Sequence, residues 1–287
     1  MKCARMRYLM GGLVEVEADA DTRHAAVNAV ETAFEELKRV EKLLSKFMPD
    51  SVVSRINRLA SEEPVAVSPE VFNLLRESLR FSELTEGAFD ITVNPLIELW
   101  NDACLKDRVP RPHAIREALF RTGHQHIRLD EADHTVFFER PDMEIDLGAI
   151  GKGYAVDRAV KILRGRGIRK AMVSTGSTIF CLDDTVSWFG VEHPLERGEI
   201  ITSMPLRDNA VSTSANSERY QIIGGRRYGH MIDPASGYPV AGDLLSVSVV
   251  TTSAMIADVL STSAFVLGRQ AGRRLIARWD CAEAFIL

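Results

Sequence analysis

Apolar residues recur at helical spacing in several segments of this chain, and these segments predict its helices. Residues 22–44 carry one apolar stripe, so a long amphipathic helix is expected there. A second helix is predicted to begin at Ser68, whose hydroxyl can cap it, and to end before Gly87. A third helix is expected at residues 254–267, where Gly268 closes the pattern. The stripes indicate helices that pack on a common core.

Alternation of apolar with polar residues predicts strands between these helices. Met143, Ile145 and Leu147 alternate with two carboxylates, and a helix that ends near Gly165 follows them. Further strands are predicted at residues 12–17, 172–174 and 188–192, with a region of short strands at 211–251. Because strands and helices do not alternate regularly, the pattern favours an α+β fold of mixed sheets flanked by helices over a doubly wound parallel sheet.

The turn before the helix that ends near Gly165 carries the most informative chemistry. Its sequence, DLGAIGKGYAVDRA (146–159), combines a carboxylate, three glycines and a lysine. Glycines let the backbone come close to a ligand, and the first amides of a helix bind anions. Lys152 adds a positive charge for an anion. The stretch is therefore typical of a site for a phosphate-bearing ligand.

Two common nucleotide-binding motifs do not fit this turn. The P-loop requires a hydroxyl after the lysine, where this chain has Gly153. The dinucleotide-binding pattern GxGxxG fails because the order here is GxxGxG. A structural alternative stays open, in which the glycines only let strand and helix pack and Lys152 is solvated.

Asp258 and Thr262 lie four residues apart on the apolar helix at 254–267 and therefore share one face. An aspartate in such surroundings has to be paired or bound to something. Carboxylate and hydroxyl oxygens are ligands that magnesium and calcium accept. In the alternative, Asp258 compensates the macrodipole of its own helix, and Thr262 bonds back to a carbonyl.

Composition places the chain among ordinary globular proteins, since 46% of its 287 residues are hydrophobic and 26% are charged. This length allows one large domain or two intimate ones. The formal net charge of -5 argues against a dedicated nucleic-acid-binding protein. The four cysteines show no CxxC spacing, so neither a zinc site nor a disulfide framework is implied.

The N-terminal segment MKCARMRYLMGGLVEVEA lacks the apolar region that an export signal needs. No segment reaches the roughly 20 apolar residues of a membrane span. We therefore expect a cytoplasmic protein without a membrane span, or an exported one if a leader has been trimmed from the sequence.

Four segments, taken together, resemble the ApbE family of FAD:protein FMN transferases. They are GAFDITVNP (87–95), DLGAIGKGYAVDRA (146–159), VSTSANSERY with RRYGHMIDPASGYPV (211–240), and VSVVTTSAMIADVLSTSAFVLG (247–268). YLMGGLVEVE (8–17) and LSKFMPDSVVSRIN (44–57) extend the resemblance to nearly the whole chain. The resemblance implies a T-fold-like architecture, with residues 1–287 as a single domain or as two intimate subdomains with the active site between them.

Members of that family cut the pyrophosphate of FAD, attach FMN to a threonine or serine of an acceptor protein through a phosphoester, and release AMP. The reaction requires magnesium. The resemblance implies FAD as substrate, Mg²⁺ as cofactor and, as partner, an acceptor flavoprotein with a Ser/Thr flavinylation motif, such as a redox or electron-transport subunit. Two alternatives stay open, an FAD pyrophosphatase and a flavin-binding module that retains FAD without turnover.

The resemblance also implies site residues by motif position. Asp258, Thr262 and the backbone carbonyl of Ala149 would be the metal ligands. Lys152 would face the phosphates, and Asp146 would bind the flavin nucleotide. His230 and Asp258 are both candidates for the general base. The other residues implied in the flavin pocket are Met10, Phe47, Ala88, Phe89 and Asp90, with His230 lining the same pocket.

Several positions depart from the family pattern. Gly12 stands where threonine is usual, Phe47 where tyrosine is common, and Ala215 where a glycine is found. Ser177 and Thr178 stand where many members have a Gly-Asp pair. These departures put the fine positioning of the substrate in doubt more than the binding of the metal.

Overall fold

The computed structural model describes residues 1–196, 198–216, 219–242, 244–279 and 282–287. The helices in this part of the chain are α1 (Arg23–Leu44), α2 (Val52–Leu59), α3 (Pro69–Leu84), α4 (Asn94–Leu105), α5 (Pro112–Phe120), α6 (Gly151–Gly165) and α7 (Ala254–Ile276). None of these helices is long and apolar enough to cross a bilayer.

The strands of the described residues form four antiparallel sheets. The main sheet has the order β1-β2-β6-β7-β10-β13-β14, and the smaller ones are β3-β5-β4, β8-β9 and β11-β12. The α+β fold with several sheets and flanking helices is therefore confirmed. The strand bounds are β1 (Lys2–Leu9), β2 (Gly12–Asp19), β3 (Val65–Ala66), β4 (Ile127–Asp130), β5 (Thr135–Phe138), β6 (Lys170–Ser174), β7 (Thr178–Leu182), β8 (Ser187–Glu192), β9 (Ile200–Leu206), β10 (Asn209–Ala215), β11 (Tyr220–Ile223), β12 (Arg226–Gly229), β13 (Ser246–Thr251) and β14 (Glu283–Ile286).

Three helices cover one face of the main sheet. Helix α1 packs on β1 and β2, α6 on β6 and β7, and α7 on β10 and β13. Beneath them, Val16, Val173, Phe180 and Ala210 lie opposite one another in register across four neighbouring strands, and all are buried. The β8–β9 hairpin covers the opposite face at β10 and β13. The main core thus lies between α1, α6, α7 and the sheet.

A smaller apolar cluster joins α4 and α5 to the segment that follows β11. Trp100 is buried there and donates its indole N–H to the carbonyl of Gly237 (2.9 Å). Gly237 has φ +75°, and a Cβ at this position would lie 2.7 Å from Ile115 Cγ2, so only glycine fits. A β-bridge between Ile232 and Pro239 closes the segment that contains Gly237. The packing of Trp100 on Gly237 therefore also positions the residues next to His230.

The helices predicted near residues 22–44 and 68–87 are confirmed, with Thr22 and Ser68 as their side-chain caps. The predicted closure at Gly268 is also confirmed, because this residue has φ 77° and interrupts α7. The apolar stripe did not predict the further helical residues that run on to Ile276.

The predicted strand at residues 143–147 is wrong, although its alternation is right. Met143, Ile145 and Leu147 are buried, but no neighbouring strand pairs with them among the described residues. The side-chain amide of Asn57 instead bonds both the N–H (2.8 Å) and the carbonyl (3.0 Å) of Ile145. A side chain thus takes the place of a sheet neighbour, which periodicity cannot reveal.

Candidate functional site

The predicted site residues converge at one end of the main sheet, where the β1–β2 and β6–β7 turns meet the ends of three helices. Met10, in the β1–β2 turn, donates its backbone N–H to Glu41 Oε1 near the end of α1 (2.5 Å). Lys152, in the first turn of α6, donates from Nζ to Ser177 Oγ in the β6–β7 turn (3.0 Å). These two hydrogen bonds join segments that are 31 and 25 residues apart in sequence.

The glycine-rich turn has the packing role that its sequence left open, and it also fixes its lysine. Gly153 is a packing glycine, since a Cβ there would lie 2.3 Å from the carbonyl oxygen of Ala254 at the start of α7. Lys152, however, is half-buried and bonded to Ser177, so the alternative in which it is merely solvated is wrong. Close packing of α6 on α7 therefore coexists with a fixed positive charge.

The carbonyl oxygen of Ala149 is left free by the way α6 begins. Ile150 is the N-cap of α6 and accepts the first bond of the helix, from the N–H of Tyr154. Ala149 therefore lies before the helix, and the N–H of Gly153 has no acceptor within it. That N–H instead donates to Asp258 Oδ2 on α7 (3.0 Å). No other residue of the described chain donates to the Ala149 carbonyl. The oxygen is therefore available to a ligand beside the Asp258 carboxylate.

Asp258 is 4% exposed, and its carboxylate has few compensating partners. Besides Gly153, Ser212 Oγ is the only hydrogen-bond donor to it in the described part of the chain, at 3.4 Å from Oδ1. Burial raises the pKa of Asp258, and the positive charge of Lys152 opposes the rise. The proposed compensation of its own helix dipole is wrong, because Asp258 accepts from an amide of α6 and other groups cap α7.

Thr262 does not bond back to a carbonyl of its own helix, unlike Ser263, which donates to Val259 (2.6 Å). Its Oγ1 lies 3.3 Å from Ser214 Oγ on β10. The alternative in which Thr262 is bonded to its own helix is therefore also wrong. The hydroxyl is half-buried and lies one helical turn from Asp258, so carboxylate and hydroxyl can share a ligand.

Asp146 lies at the other side of the glycine-rich turn and is held by two groups. Its Oδ1 accepts the N–H of Gly148 (2.7 Å), and its Oδ2 forms an ion pair with Lys46 Nζ (3.1 Å). Lys46 is nearly buried and also bonds the side chain of Asn94. The sequence analysis predicted Asp146 but missed Lys46. The signal that could have suggested Lys46 is a positive charge directly before Phe47, a predicted flavin contact.

The predicted flavin-packing pair differs in exposure. Phe47 is 82% exposed, and Lys46 Nζ lies above its ring at 5.1 Å from the centroid. Met10 is half-buried, with φ 54° in the β1–β2 turn. An exposed aromatic face and a thioether are therefore present at the edge of the site, where a planar ring system can pack.

The loop at residues 88–90 packs inward. Ala88 and Phe89 are buried, and Phe89 lies edge-on to Phe81 with ring centroids 6.4 Å apart. Asp90 Oδ1 accepts from the backbone and hydroxyl of Thr92 (2.8 and 2.6 Å), and Oδ2 accepts from the backbone and ring of His124 (2.9 and 3.2 Å). The Asp90 carboxylate is thus bonded within the loop, and contact of this loop with flavin stays a prediction.

His230 follows β12 at the surface of the same region. Its Nδ1 lies 2.9 Å from the carbonyl oxygen of Arg219, which can only accept, so Nδ1 carries the proton. The surrounding protein lowers the pKa of His230 by desolvation, and the charges of Arg219 and Lys152 lower it further. The hydrogen bond to Arg219 opposes this shift. The ring is therefore neutral near pH 7, with Nε2 free to accept a proton.

An open depression of about 590 Å³ lies away from this site, at the other end of α6. Three of its lining charges are paired within the protein, since Arg164 contacts Asp208 (2.5 Å) and Asp183 contacts Lys170 (2.8 Å). The concave shape alone therefore does not mark it as the functional site.

Comparison with known proteins shows the family of this chain. Residues 10–286 match the model of the ApbE family. The chain belongs to the ApbE family. It is 36% identical to the FAD:protein FMN transferase of Klebsiella pneumoniae (strain 342), over 88% of this chain and 80% of the relative. It is 32% identical to that of Treponema pallidum (strain Nichols), over 99% of this chain and 84% of the relative.

A solved ApbE structure shows the same fold. The ApbE protein of Thermotoga maritima superposes with a TM-score of 0.89 at 31% identity, covering 100% of this chain and 94% of that one. The predicted ApbE-like architecture is therefore confirmed.

Proposed function

We propose that the protein is an FAD:protein FMN transferase, as its relatives from Klebsiella pneumoniae and Treponema pallidum are named. It would transfer FMN from FAD to a threonine or serine hydroxyl of an acceptor flavoprotein, with AMP as the other product. The observation that carries this proposal is the convergence of Lys152, the free Ala149 carbonyl, Asp258 and Thr262 where α6 meets α7.

The oxygen atoms at this junction fit a magnesium ion. Among the described residues, no three His, Cys, Asp or Glu side chains form a metal-binding group. The candidate ligands are instead the Ala149 carbonyl, the weakly compensated Asp258 carboxylate and the Thr262 hydroxyl, all of them hard oxygens. When bound, the ion would neutralise negative charge on the phosphoryl oxygens of FAD.

Lys152 would supply a second positive charge to the diphosphate. Its Nζ is held by Ser177, so it is fixed before the substrate arrives and need not be ordered during the reaction. In the transfer, the acceptor oxygen forms a bond to the phosphorus of the FMN half. The bond from that phosphorus to the bridging oxygen breaks, and AMP leaves with that oxygen.

We assign the general base to His230 rather than Asp258. Both Asp258 oxygens already accept hydrogen bonds inside the protein. His230 is at the surface and neutral, with Nε2 unprotonated, and can take the proton of the incoming hydroxyl. We expect His230→Gln to lower the transfer rate about 100-fold and to remove the acidic limb of the pH–rate profile. An unchanged acidic limb would assign the base elsewhere.

The flavin would pack between Met10 and the exposed Phe47 ring, beside the loop of Ala88, Phe89 and Asp90, with Asp146 binding the nucleotide. The edge of the site is open at Phe47, so a separate protein can approach. We therefore expect the acceptor to present a Ser/Thr flavinylation motif, as a subunit of a redox or electron-transport system would.

The direct test incubates the protein with FAD, Mg²⁺ and a peptide that carries such a motif, followed by mass spectrometry. A covalent FMN mass on the peptide supports the proposal. Free FMN and AMP without modified peptide would indicate an FAD pyrophosphatase, and intact FAD would indicate a flavin-binding module. The matched control omits Mg²⁺ and adds EDTA, which should abolish the covalent product.

A further inference from the structure

Buried hydroxyl groups form a layer directly behind the proposed metal ligands. Ser214 Oγ on β10 lies 3.3 Å from Thr262 Oγ1 and 3.0 Å from Ser261 Oγ, both on α7. Ser261 Oγ donates to the backbone carbonyl of Asp258 (3.1 Å). The layer therefore runs from the Thr262 hydroxyl to the backbone carbonyl of Asp258.

Each hydroxyl in this layer has one proton to donate, and the acceptors fix its direction. The Asp258 carbonyl can only accept, so Ser261 donates to it. Ser214 then donates to Ser261, and Thr262 donates to Ser214. The chain of protons runs from Thr262 through two serines to one carbonyl.

A second chain runs in the same sense to the side chain of Asp258. Ser212 Oγ donates to Asp258 Oδ1 (3.4 Å), because a carboxylate only accepts. Ser212 is thereby free to accept from Thr178 Oγ1, which lies 2.9 Å away on β7. Ser261 Oγ also lies 3.4 Å from Ser212 Oγ, so the two chains are joined. Both chains end on oxygen atoms of Asp258.

The direction of donation matters for a hydroxyl that binds a metal. Such a group coordinates through a lone pair, so its proton has to point away from the ion and needs an acceptor there. Ser214 is that acceptor for Thr262, because Thr262 makes no described hydrogen bond to a carbonyl of its own helix. Without Ser214, the Thr262 proton would be free to rotate toward the ion.

We infer that Ser214 is a positioning residue for the metal site, which accepts the Thr262 proton and thereby holds a lone pair of Thr262 toward the ion. The inference rests on the proposed magnesium site. It assigns a function to the SxS pattern at residues 212–214, whose alternate residues point from one strand toward α7.

Mn²⁺ is a suitable probe, because it accepts the same oxygen ligands and its binding is followed by electron paramagnetic resonance. Mn²⁺ is titrated into the full-length protein, with and without FAD, for the wild type, Ser214→Ala, Thr262→Val and the double variant. Ser248→Ala is the matched control, because it also removes one buried hydroxyl. Ser248 Oγ lies 2.8 Å from Thr213 Oγ1, on the opposite face of β10 and β13. Unfolding midpoints in EDTA are measured in parallel.

We expect Ser214→Ala to weaken Mn²⁺ binding about tenfold or more, and Ser248→Ala to leave it unchanged at a similar loss of stability. In the Thr262→Val background, Ser214→Ala should have no further effect, because the two residues act through one oxygen. Wild-type affinity in Ser214→Ala, or full additivity in the double variant, would overturn this inference alone. A wild-type protein that binds no Mn²⁺ would overturn both this inference and the proposed metal site.

Discussion

Two aspartates, the half-buried Asp157 and the buried Asp258, face each other's helices where α6 meets α7, and they are bonded very differently. Each caps the N-terminus of the other's helix. Asp157, on α6, accepts from Ser253 Oγ (2.7 Å) and from the backbone N–H groups of Ala254 (2.7 Å) and Met255 (3.0 Å). Asp258, on α7, accepts one backbone N–H at 3.0 Å and one hydroxyl at 3.4 Å.

Burial raises the pKa of both carboxyl groups, so the direction of the pKa shift does not distinguish them. The number of hydrogen-bond donors to each carboxylate distinguishes the two aspartates. A carboxylate that accepts three short hydrogen bonds is compensated within the fold, and its role is structural. A buried carboxylate with fewer and longer bonds, beside a lysine and a free carbonyl, costs folding free energy unless a ligand completes it.

The largest effect on FMN transfer is expected for Asp258→Asn. This substitution removes the negative charge of the carboxylate that has fewer hydrogen-bond donors. Transfer of FMN should fall by about 100-fold or more, because the metal would lose its charged ligand. The free energy of unfolding in EDTA should stay within about 1 kcal/mol of the wild type, since few hydrogen bonds are lost. Rates come from the peptide assay and stabilities from denaturant titration. A stable variant with wild-type transfer would remove Asp258 from the site.

Asp157→Asn should reverse that pattern. The substitution weakens three charge-assisted hydrogen bonds at the start of α7 and should lower the free energy of unfolding by about 2 kcal/mol. Transfer by the folded fraction should change less than threefold, on the order of a 0.6 kcal/mol barrier change. Asp133→Asn is the control, because this exposed aspartate lies in the β4–β5 turn and neither quantity should move. Loss of transfer with unchanged stability would break the distinction between the two aspartates.

A third carboxylate sharpens the comparison by showing the opposite pKa shift. Glu36 bonds Arg39 (2.8 Å) and Arg158 (2.7 Å), and these partners lower its pKa to about 2 despite partial burial. A lowered folded pKa means that its stabilisation is present above the unfolded pKa of about 4.5 and is lost as the pH falls toward 2. At pH 7 the free energy of unfolding of the wild type should exceed that of Glu36→Gln by about 1–2 kcal/mol. This value is reduced for solvent screening, because Arg39 is partly exposed.

The measurement for Glu36 is the pH dependence of unfolding for both proteins. The difference in unfolding free energy should be constant above about pH 5 and shrink below it. A difference that grows on acidification would contradict the assignment of Glu36 as an ion-paired, depressed carboxylate.

Local pattern predicted the parts of the fold that local rules determine. Capping at Ser68 and the positive φ at Gly268 follow from the preferences of single residues, and both were predictable. The segment at 143–147 was not, because its partner is the distant side chain of Asn57. Local patterns also could not predict the strand order, in which β10 lies between β7 and β13.

The candidate site shows the same limit. Asp258 and Thr262 were recognisable from their helical spacing, and Lys152 from the glycine-rich turn. The donors that distinguish Asp258 from Asp157 were not, because Gly153 and Ser212 approach Asp258 from α6 and β10. Compensation of a buried charge depends on neighbours in the tertiary structure, which cannot be identified from a single sequence.

The most direct test of the central claim, that Asp258 is kept incompletely bonded for a metal ion, measures unfolding free energy with and without Mg²⁺. Wild type and Asp157→Asn should each gain about 2.7 kcal/mol when Mg²⁺ is present at a hundred times its Kd. Asp258→Asn should gain nothing at the same concentration. An equal gain in Asp258→Asn would contradict the claim, because Mg²⁺ would then bind without this carboxylate.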